Sequence, residues 1–554
     1  MLGDGLADWF HSRFGNPLGV LSGMALGAML LSSAASILHA LDGLGRLGRL
    51  LGYRGQNMAQ EPWYALLPMI FIYLLLFDDL VAASVLTSAI ALVYVSVMGF
   101  RLLALALGGR IEPRHDEDEE QIWPIYTILV PLYREEAVAQ KILRNLHALD
   151  YPKDRLDVKF LLEADDPGTL AALERDGIPS WCEVLVVPDA QPKTKPRACN
   201  HGLQRARGEF LVIFDAEDRP EPNQLKKAVR AFAKAAGRVA CLQAQLAYHN
   251  HRQNLLTRWF AIEYNVWFQR YLRGLHRLGG PLPLGGTSNH FKVSILRQLD
   301  GWDPFNVTED CDLGIRLHLA GHRTATLASV TWEEANSRVG NWLRQRSRWL
   351  KGYLITHLVW SRHPLRLLWR LGPLGCFRYL ASILGIAGLA VLNLPLWIML
   401  GLYSSFLARD MGQGWGLMEL LSTPPVRGDD RLSWPLLYIG SEESPFWAAV
   451  ADFLGHVGPL PQQDPWWAML SFVFAIVTLV LLCSNLIFIL INVLFGHRPG
   501  QRGLIWAALI SPLYWVLISL GAWKGLWQLC FNPHKWEKTV HGLDHQEAAE
   551  KDES

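Results

Sequence analysis

The sequence predicts an α/β domain inserted between two groups of membrane-spanning helices. Three observations point there. Stretches on both flanks stay apolar and free of Asp, Glu, Lys and Arg for about 20 residues, the length that crosses a hydrocarbon layer. Between them, short apolar runs alternate with helix-like stretches, the pattern of a parallel sheet covered by helices. Three of those runs end in or beside an acidic or polar cluster, and such sheets bind ligands beyond the carboxyl ends of their strands.

Composition agrees. At 554 residues the chain exceeds one ordinary core, and a charged fraction of 19% with 23 Trp fits a chain that is half membrane protein. A net charge of +1 gives no reason to expect nucleic acid. The seven Cys are scattered without a Cys-x-x-Cys pair, which indicates neither a zinc site nor a disulfide framework.

Six apolar segments stand out: Leu18 to Ala40, Trp63 to Phe77, Leu80 to Phe100, Tyr379 to Ala408, Pro465 to Phe495 and Gly503 to Trp523. Glycines recur every fourth residue along the first, which permits close helix packing. Arg46, Arg49, Arg54, Arg101, Arg110, Arg498 and Arg502 lie in the loops taken as cytoplasmic, and the acidic connection 409–464 is placed outside. The expected organisation is a transmembrane region at 1–110, a cytosolic domain with an interfacial helix at 111–372, a second transmembrane region at 373–530 and a polar tail at 531–554. Three spans after the domain would leave the tail outside; a fold-back at Pro512, or a re-entrant piece in the acidic connection, would return it.

Within the central domain the buried-strand runs are 126–130, 158–162, 183–187 and 210–214, with helices over 136–148 and 194–207. Glu163-Ala164-Asp165-Asp166 follows the second run; alone it reads as a capped strand-to-helix turn. Asp215-Ala216-Glu217-Asp218 follows the fourth. Two carboxylates one residue apart at a strand end can reach one hard cation, Mg²⁺ or Mn²⁺, with Asp215 and Glu217 as ligands and Asp218 as the competitor. A solvated acidic turn is the plainer alternative. Thr308-Glu309-Asp310 reads alone as an N-cap with an acidic first turn. The stretch Trp342 to Lys351 mixes aromatics and cations as a membrane-surface helix does.

The order of these clusters, ending in Gln345-Arg346-Ser347-Arg348-Trp349, resembles the membrane-embedded family-2 glycosyltransferases, the group of cellulose and hyaluronan synthases. The likeness runs from about 121 to 353 and looks nearest to bacterial exopolysaccharide and β-glucan synthases. It implies a nucleotide-sugar-binding domain of the GT-A-like, Rossmann type on the cytosolic side of a bacterial inner membrane. Val130-Pro131-Leu132-Tyr133-Arg134-Glu135 resembles the first loop of that family, with Arg134 where Asn is usual. By resemblance Pro131, Tyr133, Glu135, Glu163 and Asp165 hold the nucleoside, Lys195 and Arg348 serve the diphosphate, and Gln345 belongs to the same nucleotide-sugar site. Asp215 and Glu217 stand at the family's metal-binding pair, with Glu217 in place of a second Asp. Asp310, beside Glu309, becomes the general base, and a single base without a covalent nucleophile implies inversion. Gly286 and Thr287 lie in the expected acceptor loop, and Trp349 offers an apolar face to the acceptor sugar.

Three functions fit. The first is a processive, inverting synthase that polymerises a β-linked glycan from a UDP-sugar, UDP-glucose foremost, and helps translocate it. Its partners would be the growing glycan, the lipid bilayer and export or regulatory subunits. The second is a non-processive transferase with a lipid acceptor. The third is an inner-membrane assembly component whose transferase domain is a relic.

Overall fold

The computed structural model describes residues 79–109, 122–136, 139–175, 177–235, 237–361, 364–414 and 465–532, with 416 and 537. The segments Leu18 to Ala40 and Trp63 to Phe77, nearly all of the acidic connection and most of the tail lie outside the described residues. The chain divides into two compact units. One takes Met1–Gly99 with Gly388–Phe488, the other Phe100–Ala387 with Ile489–Ser554.

The first unit contains apolar helical chain: most of the helix Asp79–Gly108, most of Leu384–Gly412 and most of Pro465–Phe495. Among the described residues one stretch, Ala89–Gly108, is long and apolar enough to cross a membrane. The pair Pro364–Ser382 and Leu384–Ile398, bent by 51°, passes the same test taken together.

The second unit is built on one eight-stranded sheet. Its strands are β1 (Tyr126–Leu132), β2 (Leu156–Glu163), β3 (Cys182–Val187), β4 (Phe210–Ile213), β5 (Arg219–Pro220), β6 (Val239–Tyr248), β7 (Asn289–Lys292) and β8 (Arg323–Glu333), in the order β3-β2-β1-β4-β7-β6-β8-β5. The four expected strands are β1 to β4, and they pair in parallel. The sheet as a whole is mixed rather than parallel. β7 runs against both β4 and β6, and β5 against β8. Because β6 and β8 are parallel, the carboxyl ends of β1, β2, β4, β6 and β8 share one edge with the start of β7.

Alternation explains why the strands read as continuous apolar runs. Tyr126, Ile128, Val130, Phe160 and Val212 pack on one face, and Leu129, Leu161, Leu185 and Leu211 on the other. Both faces are covered by helices, so both sets are buried.

The site is framed by five helices: α1 (Lys195–Arg205), α2 (Leu255–Val266), α3 (Glu309–Leu319), α4 (Val339–Trp360) and α5 (Ser511–Phe531). The apolar stretch Gly503 to Trp523 is not one helix. A short helix, Leu504–Leu509, ends at Ile510, and α5 begins with Ser511-Pro512. Pro lacks the N–H that a continuing helix needs, so it starts a helix here rather than extending one. The helix break thus falls just before Pro512, one of the two places where a fold-back would return the tail. α5 lies in the same unit as the sheet, and Glu537 accepts from Lys524 at 2.7 Å and from the Ser347 hydroxyl of α4 at 3.5 Å.

Glycine sets the α4–α5 distance. A Cβ added at Gly525 would lie 2.8 Å from the Ser347 carbonyl oxygen, and one at Gly521 would lie 2.9 Å from Cγ of Arg346. Gly525→Leu is therefore expected to cost on the order of 1–3 kcal/mol through overpacking against backbone. Gly340→Ala, with nothing within 4 Å of the new methyl, should be neutral. Thermal unfolding of the detergent-solubilised chain checks both, and equal melting temperatures for the two variants would contradict this packing.

Candidate active site

The site forms at the shared strand edge because each strand there delivers its next residues into the same space. β4 ends one residue before Phe214-Asp215, and the reversed β7 is entered through Leu284–Ser288. Lys195, at the start of α1, links the two: its ammonium donates to the Asp215 carboxylate and, at 2.7 Å, to the Gly286 carbonyl. Burial works against this charge, but Asp215 and Glu309 outweigh it and raise the Lys195 pKa above its ordinary value.

A Cβ on Gly286 would lie 3.6 Å from Asp310 Oδ2 and 3.9 Å from Lys195 Nζ, so the loop backbone faces both. Asp310 stands in the first turn of α3, where Oδ1 accepts from the Cys311 N–H at 2.7 Å. Burial, and then the neighbouring Asp310, push the Glu309 carboxyl up to about 7, while Lys195 and Arg348 pull it down. Burial also raises Asp310. Arg348, on α4, is lowered by burial and supported by Glu309, Asp310 and Asp215, which places its guanidinium at the acidic edge. Lys195, Asp215, Gly286, Glu309, Asp310 and Arg348 are thus brought together from five chain regions.

A second group lies at the ends of β1 and β2. The Tyr133 hydroxyl donates to Asp165 at 3.3 Å, and Lys193 pairs with Asp165 at 3.0 Å, holding that carboxyl below its usual range. Glu163 is buried and pairs with Arg197 at 3.3 Å. Pro131 is a half-buried residue of β1, and the Glu135 N–H donates to Thr169 Oγ1 at 3.0 Å. Arg134 has a left-handed backbone, φ 57°, a conformation that Asn tolerates better than Arg. Asp166 accepts from the Arg134 N–H at 2.5 Å and the Thr169 N–H at 3.3 Å, so the capping role expected for this turn coexists with the polar cluster.

Four expectations need correction. Thr287, expected at the acceptor, is buried; its hydroxyl donates to the Ile213 carbonyl at 3.0 Å and to Asp218. Asp218, the competing metal ligand, is fully buried, turned inward to Thr287 and the Asp215 N–H at 2.7 Å. Thr308 occupies the N-cap position of α3 but makes no capping bond; its N–H donates to Asn306 Oδ1 at 3.0 Å. Finally, three of the residues counted toward a membrane-surface helix are turned inward. Trp342, Arg346 and Lys351 are buried in protein, because they sit on the sides of the helix that meet α2 and α5.

Trp349 is half-buried among the rings of Phe260 at 5.9 Å and Tyr264 at 6.3 Å. Gln345 Oε1 accepts from Asn336 at 2.8 Å. Glu333, at the end of β8, joins the acidic edge unforeseen. Burial, then Asp218, Glu217 and Asp215, raise its carboxyl well above the ordinary range, and its buried Oε1 has no hydrogen-bond partner. The signal was available: Thr331-Trp332-Glu333 closes a strand with a carboxylate, as the other clusters do.

Among the described residues no group of three or more His, Cys, Asp or Glu is arranged to hold a metal. Asp215 and Glu217 are both part-exposed. That fits Mg²⁺ or Mn²⁺ used with a diphosphate, where one or two carboxylates suffice and phosphate and water complete the shell.

The family profile described as "Glycosyltransferase like family 2" matches residues 124–352. Those residues are a family-2 glycosyltransferase domain. Over 267 residues the chain is 29% identical to a beta-monoglucosyldiacylglycerol synthase of Trichormus variabilis, covering 46% of this chain and 54% of the relative. A probable glucomannan 4-beta-mannosyltransferase of Oryza sativa subsp. japonica is 28% identical over 255 residues, 44% of this chain and 43% of its own. The chain thus spans about half the length of the curated relatives it matches. The solved mannosyltransferase PcManGT of Pyrobaculum calidifontis, in complex with GDP-Man and Mn²⁺, is similar at 18% identity and a TM-score of 0.42, covering 72% of this chain and 99% of that one.

Proposed function

We propose that this glycosyltransferase domain transfers sugar from a UDP-sugar, UDP-glucose foremost, to a growing glycan with inversion, and repeats the transfer at a membrane. The reading rests chiefly on one observation. A base candidate, Asp310, and a cation, Lys195, meet at the glycine loop at the strand edge, and a second cation, Arg348, is coupled to Glu309, Asp310 and Asp215.

In this reading Tyr133 and Asp165 take the nucleoside, with Pro131, Glu135 and Glu163 shaping the pocket behind them. Asp310 accepts the proton of the attacking hydroxyl as its oxygen bonds to the anomeric carbon and the bond to the diphosphate breaks. Glu309 tunes that base. Lys195 and Arg348 meet the charge that develops on the leaving diphosphate, and Gln345 lies one turn before Arg348. Asp215 and Glu217 would hold Mg²⁺ or Mn²⁺, which neutralises diphosphate charge. Gly286 permits close approach of the acceptor, and the Trp349 indole packs on its terminal sugar.

The segment pattern of the whole chain supports a multi-pass membrane protein with the domain on the cytosolic side and regions near 1–110, 111–372, 373–530 and 531–554. That placement would let the apolar helices guide the product outward, with export or regulatory subunits beyond. A lipid acceptor is the second reading. It is favoured by the similarity to a glucosyldiacylglycerol synthase and by the exposed Leu365 and Trp369 of Pro364–Ser382, 80% and 86% accessible, which could meet a lipid surface. Incubating the detergent-solubilised chain with labelled UDP-sugars separates the readings. Alcohol-insoluble label released by a linkage-specific hydrolase supports polymer, label of single-sugar size in the organic phase supports a lipid product, and no UDP release supports a relic domain.

Asp310→Asn is expected to lower transfer by about 10²–10⁴ while UDP binding persists. Wild-type product yield from that variant rejects Asp310 as the base. Chelation should abolish transfer, and Asp215→Ala should weaken UDP binding only when metal is supplied; full activity in excess chelator removes the metal from the scheme.

The carboxyl pair also sets a pH dependence. Glu309 lies near 7, so a falling pH adds a proton to the pair near neutrality, and the base must be ionised to act. Burial also raises the Asp310 carboxyl, so transfer should fall on the acid side at a pH above the ordinary range of an Asp carboxyl. Glu309→Gln removes the adjacent negative charge and should move that limb to lower pH. An unmoved limb shows that the pair does not control the rate.

A further inference from the structure

Trp349 packs against a cation and two rings. Arg346, three residues earlier on the same side of α4, lies with its guanidinium carbon 5.1 Å from the Trp349 ring, 5.2 Å from Phe260 and 5.0 Å from Trp342. Its two terminal nitrogens donate to the two carboxylate oxygens of Glu263, at 2.8 and 2.5 Å. One of them also donates to the Tyr514 hydroxyl at 2.9 Å, and that hydroxyl donates to Glu263 at 2.6 Å. The triangle joins α4 to α2 and α5 and is closed on all three sides. Glu263 sits between Phe260 and Tyr264, the two residues whose rings flank Trp349 on the α2 side.

We propose that Arg346, locked by Glu263 and Tyr514, is a positioning residue that fixes the Trp349 indole for the acceptor, and that α5 thereby governs acceptor binding. The argument is geometric. A planar guanidinium can be bidentate to a carboxylate while its face lies against rings; an ammonium cannot do both. With the bidentate bond made, the plane is fixed, and the indole packed beside it loses rotational freedom. An unfixed indole would present its face only part of the time, and apparent acceptor affinity falls by that fraction. Arg346 does not act on the donor, since its charge is spent on Glu263 and the acidic edge belongs to Arg348.

The proposal rests on Trp349 being the acceptor platform, so the test carries that reading as a separate arm. Donor hydrolysis without acceptor, and transfer from UDP-glucose to the copurifying acceptor, are measured in parallel on the full chain in detergent. Melting temperature is recorded for each variant. Arg346→Lys keeps the charge and loses the fork. It should reduce transfer by about 10- to 100-fold, the scale of a misplaced substrate contact, with hydrolysis within about twofold of wild type. Tyr514→Phe removes one hydroxyl and leaves the bidentate pair, so it should reduce transfer less, again without loss of hydrolysis. It also keeps the question open to test where Arg346→Lys does not fold. Trp349→Ala should lower transfer at least as far as Arg346→Lys.

If Trp349→Ala transfers normally, the platform reading fails and the clamp with it. If Trp349→Ala loses transfer while Arg346→Lys and Tyr514→Phe keep it, the clamp alone is overturned. Equal loss of hydrolysis and transfer in a folded Arg346→Lys overturns it as well, because a positioning residue for the acceptor leaves the donor reaction in place.

Discussion

Excess negative charge at one sheet edge is the constraint on which the site depends. Asp215, Glu217, Asp218, Glu309, Asp310 and Glu333 meet there, and Lys195 and Arg348 are the cations coupled to them. So much like charge cannot ionise together away from water. The imbalance is met in two ways. Lys195 stays charged against the cost of burial because Asp215 and Glu309 hold it, and Asp218 and Glu333 are driven well above ordinary carboxyl values. Asp218 satisfies one oxygen with Thr287 and the Asp215 N–H, so the turn that presents Asp215 is itself stiffened by the acid beside it. A diphosphate entering such an edge needs a compensating cation, which is the physical content of the proposed metal dependence.

Of the four strands read from sequence, β1, β2 and β4 are short apolar runs covered on both faces, while β3, at the sheet edge, leaves Glu183 and Val186 exposed. The rest carries weaker patterns. β7 is Asn289-His290-Phe291-Lys292, which no apolar count would select. Its polar residue is accommodated by pairing: His290 meets the Tyr126 hydroxyl at 2.7 Å and Gln224 at 3.2 Å, and burial holds its imidazole neutral, near 3. That reversed strand, with β5 at the far edge, makes the sheet mixed, and it delivers the glycine loop to Asp215. Motif order singled out Asp215, Lys195, Gly286, Asp310 and Arg348, which the fold brings together, because the chemistry proposed for them fixes their types. It overlooked Glu333, since Glu333-Glu334 looks like a solvated pair until β8 is placed. It also misjudged Thr287, whose hydroxyl suits a sugar and suits a buried carboxylate equally well.

The signature helix shows how spacing assigns work. Arg346 and Arg348 are two residues apart, about 200° around a helix, and so point to opposite sides. One faces Glu263 and Tyr514, the other the acidic edge. In the sequence they are neighbours of one kind; in the fold one is a strut and the other an electrode. The same periodicity removes Trp342 and Lys351 from any lipid-facing role, although as a list of residue types the segment resembles an interfacial helix.

The break at Ile510 changes how the domain comes into being. Bonds that complete it join residues far apart in the chain: Arg498 to Gln245 at a separation of 253 positions, Tyr514 to Glu263 at 251 and Trp259 to the Ala507 carbonyl at 248. Ribosomes add on the order of 5–20 residues per second, so tens of seconds pass between synthesis of α2 and arrival of its last partners. Until α5 is made, Phe260, Trp342 and Trp349 lack its cover. Completion of the catalytic unit therefore waits for synthesis of residues 489–531 and not for the sheet alone. A nascent chain released before residue 489 would expose a sticky face, and quality-control factors would meet it there first.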